Sequence, residues 1–506
     1  MSEMNIEVGK FTLESLTTGM YSDPQIVYRE YIQNSVDALE YACEQGIIER
    51  QGMRIDILVD KAARSITIRD NGAGIEKSKA QATLLNIGSS SKRHSKNRGF
   101  RGIGRLGGMS YCNTLIFTTS AENEAFKTQV TFDCKRLKEL LVPGEYEKYD
   151  LAMVIEEITQ VEVLPEDEEK HYFWVQMLEV DEDSDLLELP LVRDYISQVA
   201  PVPYKSRYFY HVKEINDYCA LRSYTIDEFP VFLGDTESNM QPVYKPNRNR
   251  FHADRNKMKS DEITKVHLFD IVIEDELYAI GWYADCNWLG TLSEPEISGI
   301  RVRKGNILIG DARTLNSIYR EQRFNGWVQG ELFIVTDKLV PNARRDDFEQ
   351  NDAYKKLIRA LYDGIGYEIT KTIREASAAR NNPSARIIQE VQGQVREATE
   401  TIEEGFNSSV DKGRVLEQLE KSGETLRRTR VGEELQGEKE RLQREIEDAL
   451  ETATSSSNYK INRIKAGMDR KSKKMLEIVS DILSLKLSKF LVDEILEEII
   501  EAINRK

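Results

Sequence analysis

The stretch that decides the fold is "YREYIQNSVDALEYA", residues 28–42, a helical segment with an unusual polar face. Glu30, Asn34 and Asp37 recur at steps of four and three, which places two carboxylates and an amide on one side of the helix. A helix that only packs into a core carries apolar side chains on its inward face. The spacing therefore predicts that this face lies against a polar ligand.

A second element follows a predicted β-hairpin. The segments "MRIDILVD" and "SITIRD" alternate apolar and polar residues around the turn "KAAR", which is the pattern of two paired strands. The second strand leads into "IRDNGAGI", with Asp70 at its end and Gly72 and Gly74 in the turn. A carboxylate there can accept a hydrogen bond from the exocyclic amine of adenine, and glycines let the backbone approach a ring closely.

A third element is the glycine- and serine-rich segment "GSSSKRHSKNRGFRGIGRLGGMSY", which carries Gly99, Gly102 and Gly104. The free N–H groups of such a loop suit phosphate oxygens. On the helix face, Asn34 offers an oxygen ligand for Mg²⁺, and Glu30 can accept a proton from an attacking water. Each element alone is a weak signal, but the three in this order predict a nucleotide site that contains no P-loop.

The segments "LESLTTGMYSDPQIVYREYIQNSVDALE", "IRDNGAGI" and "RGFRGIG" together resemble the GHKL ATPases, named for gyrase, heat-shock protein 90, histidine kinases and MutL. The opening helices are most similar to heat-shock protein 90, and "SSSK…RGFRG" is closer to MutL and the MORC proteins. The resemblance implies a layered α/β sandwich that holds ATP between sheet and helices under a mobile lid.

The resemblance also implies a role for each motif residue. Glu30 becomes the general base and Asn34 the Mg²⁺ ligand, while Asp70 reads adenine and Asp37 supports the site. The other expected nucleotide contacts are Gly72 and Gly74 at the base and Lys92, Gly99, Gly102 and Gly104 at the phosphates. Because histidine kinases lack the base, Glu30 implies ATP hydrolysis. The family's usual Gly-Thr pair on a later strand, near "KHYFWVQM", is missing.

A segment farther along the chain, "WVQGELFIVTDKLVPNARRDDFEQ", resembles the middle domain of heat-shock protein 90, where a strand leads to an N-x-x-R-E/D loop. The resemblance implies that Arg345 reaches the γ-phosphate when the domains close. On the residues alone, Arg344 and Arg345 could instead pair with Asp346 and Asp347. Both alternatives are open from the sequence.

The chain is expected to be an α+β protein of three domains: an ATP-binding domain at 1–195, a middle domain at 196–371 and a helical, coiled-coil tail at 372–506. Within the middle domain, "KPNRNRFHADRNKMKSDE" lacks periodicity and predicts an exposed loop. The last tail segment has a wide apolar face that predicts a homodimer contact. That face consists of Leu476, Val479, Leu483, Phe490, Ile495, Ile499 and Ile503.

Charge and composition limit the kinds of partner that this protein is expected to bind. The net charge is −16, yet the tail is locally basic at 460–474, a solvated helix face or a contact for a polyanion. The scattered cysteines and the absence of a signal-like or membrane-spanning stretch favour a cytoplasmic protein with no membrane partner.

Three functions fit these observations. The favoured one is an ATP-gated dimeric clamp of the heat-shock-protein-90 type, acting on protein clients as a chaperone. The second is a MORC- or MutL-like ATPase acting on nucleic acid, as in a prokaryotic defence system against viruses. The third is a scaffold that binds ATP and signals by dimerising. The client is therefore protein or nucleic acid, and the sequence leaves that choice open.

Overall fold

The computed structural model describes residues 9–16, 23–86, 104–144, 146–253, 259–380, 383–406, 408–459 and 470–486, with the single positions 492, 495 and 499. These belong to two compact units, Met1–Thr370 and Lys371–Lys506, each of which is considered by itself. Three expected phosphate contacts, Lys92, Gly99 and Gly102, lie outside the described residues, as does most of the basic segment 460–474.

The first unit contains an eight-stranded sheet. Its strands are β1 (Ile55–Asp60), β2 (Ser65–Asp70), β3 (Thr114–Ser120), β4 (Phe126–Asp133), β5 (Thr159–Pro165), β6 (Tyr172–Leu178), β7 (Val231–Gly234) and β8 (Gln241–Pro242). They lie in the order β5-β4-β3-β6-β2-β1-β7-β8. The predicted hairpin is confirmed, because β1 and β2 pair antiparallel with Ile55 opposite Asp70.

The alternation along β2 explains where Asp70 points. Ile66, Ile68 and Asp70 take the buried positions of the strand, and the residues between them are half-buried. Since successive side chains of a strand point to opposite faces, Asp70 shares the core face with the two isoleucines. The carboxylate of Asp70 therefore lies at the end of a row of apolar side chains on one face of β2.

Seven helices accompany this sheet in sequence: α1 (Phe11–Leu16), α2 (Ile26–Glu44), α3 (Lys77–Leu85), α4 (Cys134–Leu140), α5 (Leu151–Ile158), α6 (Leu189–Val199) and α7 (Val212–Ala220). Helix α2 buries Val27, Tyr31 and Val36 in one core with the inward residues of the sheet. It ends before Gly46, whose φ of 74° is the left-handed conformation that commonly stops a helix. The helix and the sheet form the two layers of an α/β sandwich.

The sheet extends beyond the expected ATP-binding domain. Strand β7 pairs parallel with β1, with Ile55 opposite Val231 and Leu58 opposite Gly234. The predicted boundary between residues 195 and 196 thus falls before the last two strands of the sheet. The division into three domains stays a prediction.

A second sheet of five strands lies in the same unit. It consists of β11 (Lys265–Ile273), β12 (Glu276–Asp285), β13 (Gly299–Lys304), β14 (Ile307–Ile309) and β15 (Gln329–Ile334), in the order β11-β12-β15-β13-β14. Helices α8 (Asp352–Leu361) and α9 (Tyr367–Arg380) follow. The mixture of helices with parallel and antiparallel strands confirms the α+β class.

The expectation of a plain loop at "KPNRNRFHADRNKMKSDE" is wrong. Strands β9 (Arg250–Ala253) and β10 (Lys259–Glu262) form an antiparallel pair within this stretch. Phe251 and Asp261 are buried, which gives the pair an inward face that the many polar residues of the stretch concealed. Short polar strands of this kind carry too little periodicity to be predicted from the sequence.

A buried ionic network joins the second sheet to helix α6 and to the segments that follow α6 and β8. Glu331 on β15 accepts a hydrogen bond from Lys245 at 2.9 Å and contacts Arg303 and the Tyr204 hydroxyl as well. Arg303 also donates to the carbonyl of Gln198 at 2.9 Å. Burial by itself would raise the pKa of Glu331, but Arg303, Lys245 and the Tyr204 hydroxyl together lower this pKa to about 2, so Glu331 stays ionised in the core.

The second unit is helical. Helices α10 (Pro383–Glu404), α11 (Ser409–Arg428) and α12 (Glu433–Ser455) share one apolar core that includes Val395, Leu419 and Ile446. A further helix, α13 (Arg470–Lys486), follows. The first three helices therefore bury their apolar faces against one another within a single chain. Among the described residues, no helix is both long and apolar enough to cross a membrane.

Candidate active site

Asp70, at the end of β2, is a buried carboxylate of the site. Its Oδ1 accepts the Gly72 N–H at 2.9 Å, whereas its Oδ2 is buried without a hydrogen-bond partner. Burial raises the pKa of Asp70 to about 7, against the opposing effect of polar contacts with Ser35, Gly72 and Phe173. A buried acceptor without a donor costs free energy, so this oxygen is suited to a ligand that supplies an N–H group.

The glycines beside Asp70 are required by the protein's own packing. A Cβ on Gly72 would lie 2.8 Å from the Cβ of Ala38 on α2. Gly74 has a φ of 65°, and a Cβ there would lie 1.8 Å from the carbonyl oxygen of Ser120 at the end of β3. The two glycines thus bring this turn against α2 and β3, which fixes the position of Asp70 between them.

Two residues that the sequence did not point to hold the same turn. His171 Nδ1 lies 2.9 Å from the carbonyl oxygen of Gly72. The Thr119 hydroxyl accepts the Ile75 N–H at 2.8 Å and donates to the Tyr172 carbonyl at 3.1 Å. His171 stands in "KHYFWVQM", where the family's Gly-Thr pair is missing, and that departure was the only signal for it. Thr119 is a buried threonine on β3, and no pattern in the sequence indicated its role.

Glu30 lies on α2 and is buried at 7% exposure. It faces the helical segment Gly104–Ser110 that follows the glycine-rich stretch, and a Cβ on Gly104 would lie 2.0 Å from Glu30 Oε2. The neighbouring Tyr31 secures this segment, since its hydroxyl donates to the Arg105 carbonyl at 2.9 Å and accepts the Gly108 N–H at 3.1 Å. Gly104 therefore leaves the space that the carboxylate of Glu30 fills.

Arg345 lies beside the same carboxylate. Its Nε is 3.2 Å from Glu30 Oε1, and both side chains are nearly buried. Glu30 Oε1 makes no hydrogen bond, so the contact is an ion pair without hydrogen-bond geometry. Arg345 has a φ of 57°, which is strained for a residue with a side chain, and its carbonyl accepts the Gly310 N–H at 2.8 Å.

The alternative pairing predicted for this loop holds for one arginine only. Arg344 Nε lies 3.0 Å from Asp346 Oδ2 on the exposed side of the loop. The Arg344 carbonyl accepts a hydrogen bond from Arg29 on α2 at 2.9 Å. Consecutive residues of α2, Arg29 and Glu30, thus contact consecutive residues of the loop, and Arg345 is directed into the site.

Asn34 and Asp37 complete the polar face of α2, and both are half-buried. The amide oxygen of Asn34 is a hard ligand of the kind that Mg²⁺ takes, and Asn34 follows Glu30 by one helical turn. The donor chemistry therefore fits a magnesium ion that is shared with phosphate oxygens. The structure thus places Glu30, Asn34, Asp37, Asp70, Gly72, Gly74, Gly104 and Arg345 within one unit.

Comparison with known families identifies the class of this site. Residues 21–161 match the family described as "Histidine kinase-, DNA gyrase B-, and HSP90-like ATPase". This part of the chain is an ATPase domain of the GHKL type, in agreement with the motifs around Glu30 and Asp70. The resemblance inferred from the sequence is confirmed for this region.

Relatives that match the N-terminal region include bacterial chaperones. The chain is 37% identical over 90 residues to the Chaperone protein HtpG of Bordetella pertussis, which covers 17% of this chain and 14% of the relative. The HtpG proteins of Polaromonas naphthalenivorans and Acinetobacter baylyi are 34% identical over 87 residues and 32% identical over 91 residues, covering 16% and 17% of this chain. In each case the match spans only 14% of the relative's length.

Proposed function

We propose that this protein hydrolyses ATP and that Glu30 and Arg345 carry the reaction. The observation that carries the proposal is the 3.2 Å approach of Arg345 to Glu30, beside Gly104 and on the same helix face as Asn34. The unpartnered Oδ2 of Asp70 adds an acceptor for an adenine amine. ATP hydrolysis requires a base for the attacking water and a cation for the phosphoryl charge, and Asp70 adds a carboxylate that can bind the adenine amine.

Each residue has a chemical role in this reaction. Glu30 accepts a proton from a water molecule as the water oxygen forms a bond to the γ-phosphorus. The bond from that phosphorus to the β–γ bridging oxygen breaks, which gives ADP and phosphate, and the Arg345 guanidinium stabilises the charge that develops on the phosphoryl oxygens. A magnesium ion, held by Asn34, would supply further neutralisation of the phosphates.

The proposed biological activity is that of a chaperone-like, ATP-gated dimeric clamp. The similarity to HtpG chaperones over the N-terminal region supports this choice. On α13, Leu476 of the predicted dimer face is buried and Val479 and Leu483 are half-buried, whereas Met475, Ile478 and Ile482 are exposed at spacings of three and four. These exposed side chains support the dimer. Those three side chains form one apolar stripe on the helix. Binding and hydrolysis of ATP would then close and open the two joined chains.

The test of the enzyme assignment uses two active-site variants and one neighbour. We expect Glu30→Ala and Arg345→Ala to bind ATP and to lose hydrolysis by about 10²- to 10⁴-fold. The matched control is Arg344→Ala, whose side chain points to Asp346 and is 62% exposed, and which should hydrolyse ATP at the parental rate. Parental turnover by Glu30→Ala would refute the assignment of the base and would favour an ATP-binding scaffold.

A second candidate is action on nucleic acid. It is favoured by the exposure of three basic side chains, Lys205, Arg207 and Lys213, and of Tyr210 within residues 201–213. The two candidates are separated by measuring the ATPase rate with single-stranded DNA, duplex DNA, RNA and unfolded protein. Stimulation by unfolded protein alone supports the chaperone activity, and stimulation by a polynucleotide alone supports the second candidate.

A further inference from the structure

Helix α2 contains a buried glutamine whose amide group has no hydrogen-bond partner. Gln33 is 1% exposed, and neither its Nε2 nor its Oε1 makes a hydrogen bond within the described part of the chain. A buried amide without partners costs free energy, and an apolar side chain of similar size would avoid that cost. Packing alone therefore does not account for a glutamine at this position.

Helix geometry directs Gln33 toward the loop that carries Arg345. Gln33 follows Arg29 by four residues and Glu30 by three, so its side chain projects between theirs, one turn farther along α2. Because helical side chains tilt toward the N-terminus, the long side chain of Gln33 extends back to that turn. Arg29 donates to the Arg344 carbonyl there, and Glu30 pairs with Arg345. The amide of Gln33 therefore lies on the side of α2 that faces this loop.

Other buried polar atoms without hydrogen bonds belong to the same two elements. On α2 they are Arg29 Nε and Glu30 Oε1, and on the loop there is Asn342 Oδ1. Together with the amide of Gln33, these atoms include both donors and acceptors. Such a set suits a ligand that itself donates and accepts hydrogen bonds, as a water molecule beside a phosphate group does.

The two carboxylate oxygens of Glu30 have different surroundings. Oε2 faces Gly104, where a Cβ would lie 2.0 Å away, whereas Oε1 lies 3.2 Å from Arg345 Nε and makes no hydrogen bond. Oε1 is therefore the atom that can accept a proton from a water molecule. Because Gln33 extends back to the turn of Glu30, its amide can contact the same water.

Asn34 lies on the other side of Glu30. At about 100° per residue, Asn34 is rotated from Glu30 in one direction around α2, and Gln33 is rotated in the opposite direction, toward Arg29. Asn34 is half-buried, whereas Gln33 is almost fully buried. The position of Gln33 thus separates it from the proposed magnesium ligand and places it with the base and the cation.

We propose that Gln33 orients the water that attacks ATP, an inference that rests on the proposed hydrolysis by Glu30. The water gives one proton to Glu30 Oε1 as its oxygen bonds to the γ-phosphorus, and its other O–H donates to Gln33 Oε1. Gln33 Nε2 donates to a phosphoryl oxygen. The second proton stays on the new phosphate, and Gln33 neither gains nor loses a proton. Gln33 thereby holds the water in line with the bond that breaks.

The test replaces the amide by a thioether of similar size, in Gln33→Met of the full chain. We expect kcat for ATP hydrolysis to fall by about 10²-fold, with KM for ATP and the affinity for ADP within about twofold of the parent. The urea midpoint should equal or exceed that of the parent, because the variant no longer buries an amide without partners. A glutamine with only a structural role would give the reverse result, a parental kcat and a lower midpoint.

Two further variants and one titration make the test specific. Gln45→Met makes the same change at an exposed position at the C-terminal end of α2 and should have parental kinetics. Gln33→Leu also lacks the amide and should show the same loss of kcat as Gln33→Met. The Mg²⁺ concentration that gives the half-maximal rate should be unchanged in both Gln33 variants, and an increase would overturn the inference by assigning the amide to the metal.

Glu30→Ala, assayed alongside, separates this inference from the proposed function. Loss of hydrolysis in Glu30→Ala with parental kcat in both Gln33 variants overturns the contact of Gln33 with the water and leaves the base in place. Parental kcat in Glu30→Ala, or a parent without turnover, overturns both. A loss of kcat that comes with an equally large loss of ADP affinity also overturns the inference, since it indicates damage to the whole site.

Discussion

Replacement of Asp70 by Asn should change the stability and the ATP affinity of this protein in opposite directions. Burial raises the pKa of Asp70 from 3.8 to about 7, so the folded state binds a proton more tightly than the unfolded state. The free energy of unfolding therefore falls as the pH rises from about 4 to about 7, by at most about 4 kcal/mol at 1.36 kcal/mol per pKa unit. Because Asn cannot ionise, the free energy of unfolding of Asp70→Asn does not fall in this way as the pH rises.

The assay is urea unfolding of the full chain at several pH values, followed by tryptophan fluorescence. All four tryptophans, Trp174, Trp282, Trp288 and Trp327, lie in the first unit, so the signal reports on the unit that contains Asp70. We expect parent and Asp70→Asn to differ little near pH 4, and the variant to be more stable by up to about 4 kcal/mol above pH 7.

The affinity for ATP is measured by calorimetry on the parent and on Asp70→Asn. Oδ2 of Asp70 is a buried acceptor without a hydrogen-bond partner, and Asn can turn an N–H₂ group toward the adenine amine in its place. We expect the variant to lose ATP binding. A stability difference that does not change with pH would refute the reasoning from burial, and parental ATP affinity would refute the adenine contact.

Three further changes test other parts of the structure. Gly104→Ala places a Cβ against the carboxylate of Glu30, so the rate of ATP hydrolysis should fall at least tenfold with the fold intact. The control is Gly52→Ala, which has open space around the added Cβ and should have parental kinetics. Equal rates in the two variants would contradict the contact of Gly104 with Glu30. Glu331→Gln leaves two buried cations without their anion and should lower the free energy of unfolding by about 3–5 kcal/mol in urea, and a loss below about 1 kcal/mol would refute the network. Deletion of 475–506 should give monomers in analytical ultracentrifugation, and a dimer that survives would exclude this part of the tail as the contact.

The sequence predicted those features that depend on short-range patterns. The steps of four and three in Glu30, Asn34 and Asp37 define one helix face, and the alternation in "SITIRD" defines the inward direction of Asp70. Arg345 was predicted from resemblance to a loop motif, and the structure puts it beside Glu30. The first two predictions needed neighbours in sequence only, whereas the prediction for Arg345 depended on the resemblance.

Long-range pairing could not be predicted in this way. Nothing in the sequence of β7 shows that Val231 lies opposite Ile55, because that register is set by the packing of the whole sheet. The contact of His171 with the Gly72 carbonyl joins residues 99 positions apart, and the bond of Arg29 to the Arg344 carbonyl joins residues 315 apart. Such contacts leave no periodic signal.

The pairing of β7 with β1 determines which fragment of this protein could be produced as an ATPase on its own. A fragment ending at residue 195 would lose the strand beside β1, which leaves those N–H and C=O groups of Ile55–Leu58 that face β7 without partners and open to aggregation. It would also lose Arg345 and all four side chains of the buried network, Tyr204, Lys245, Arg303 and Glu331. The compact unit that keeps the sheet, the buried charges and the site together extends to residue 370, almost twice the length that the boundary predicted from sequence would suggest.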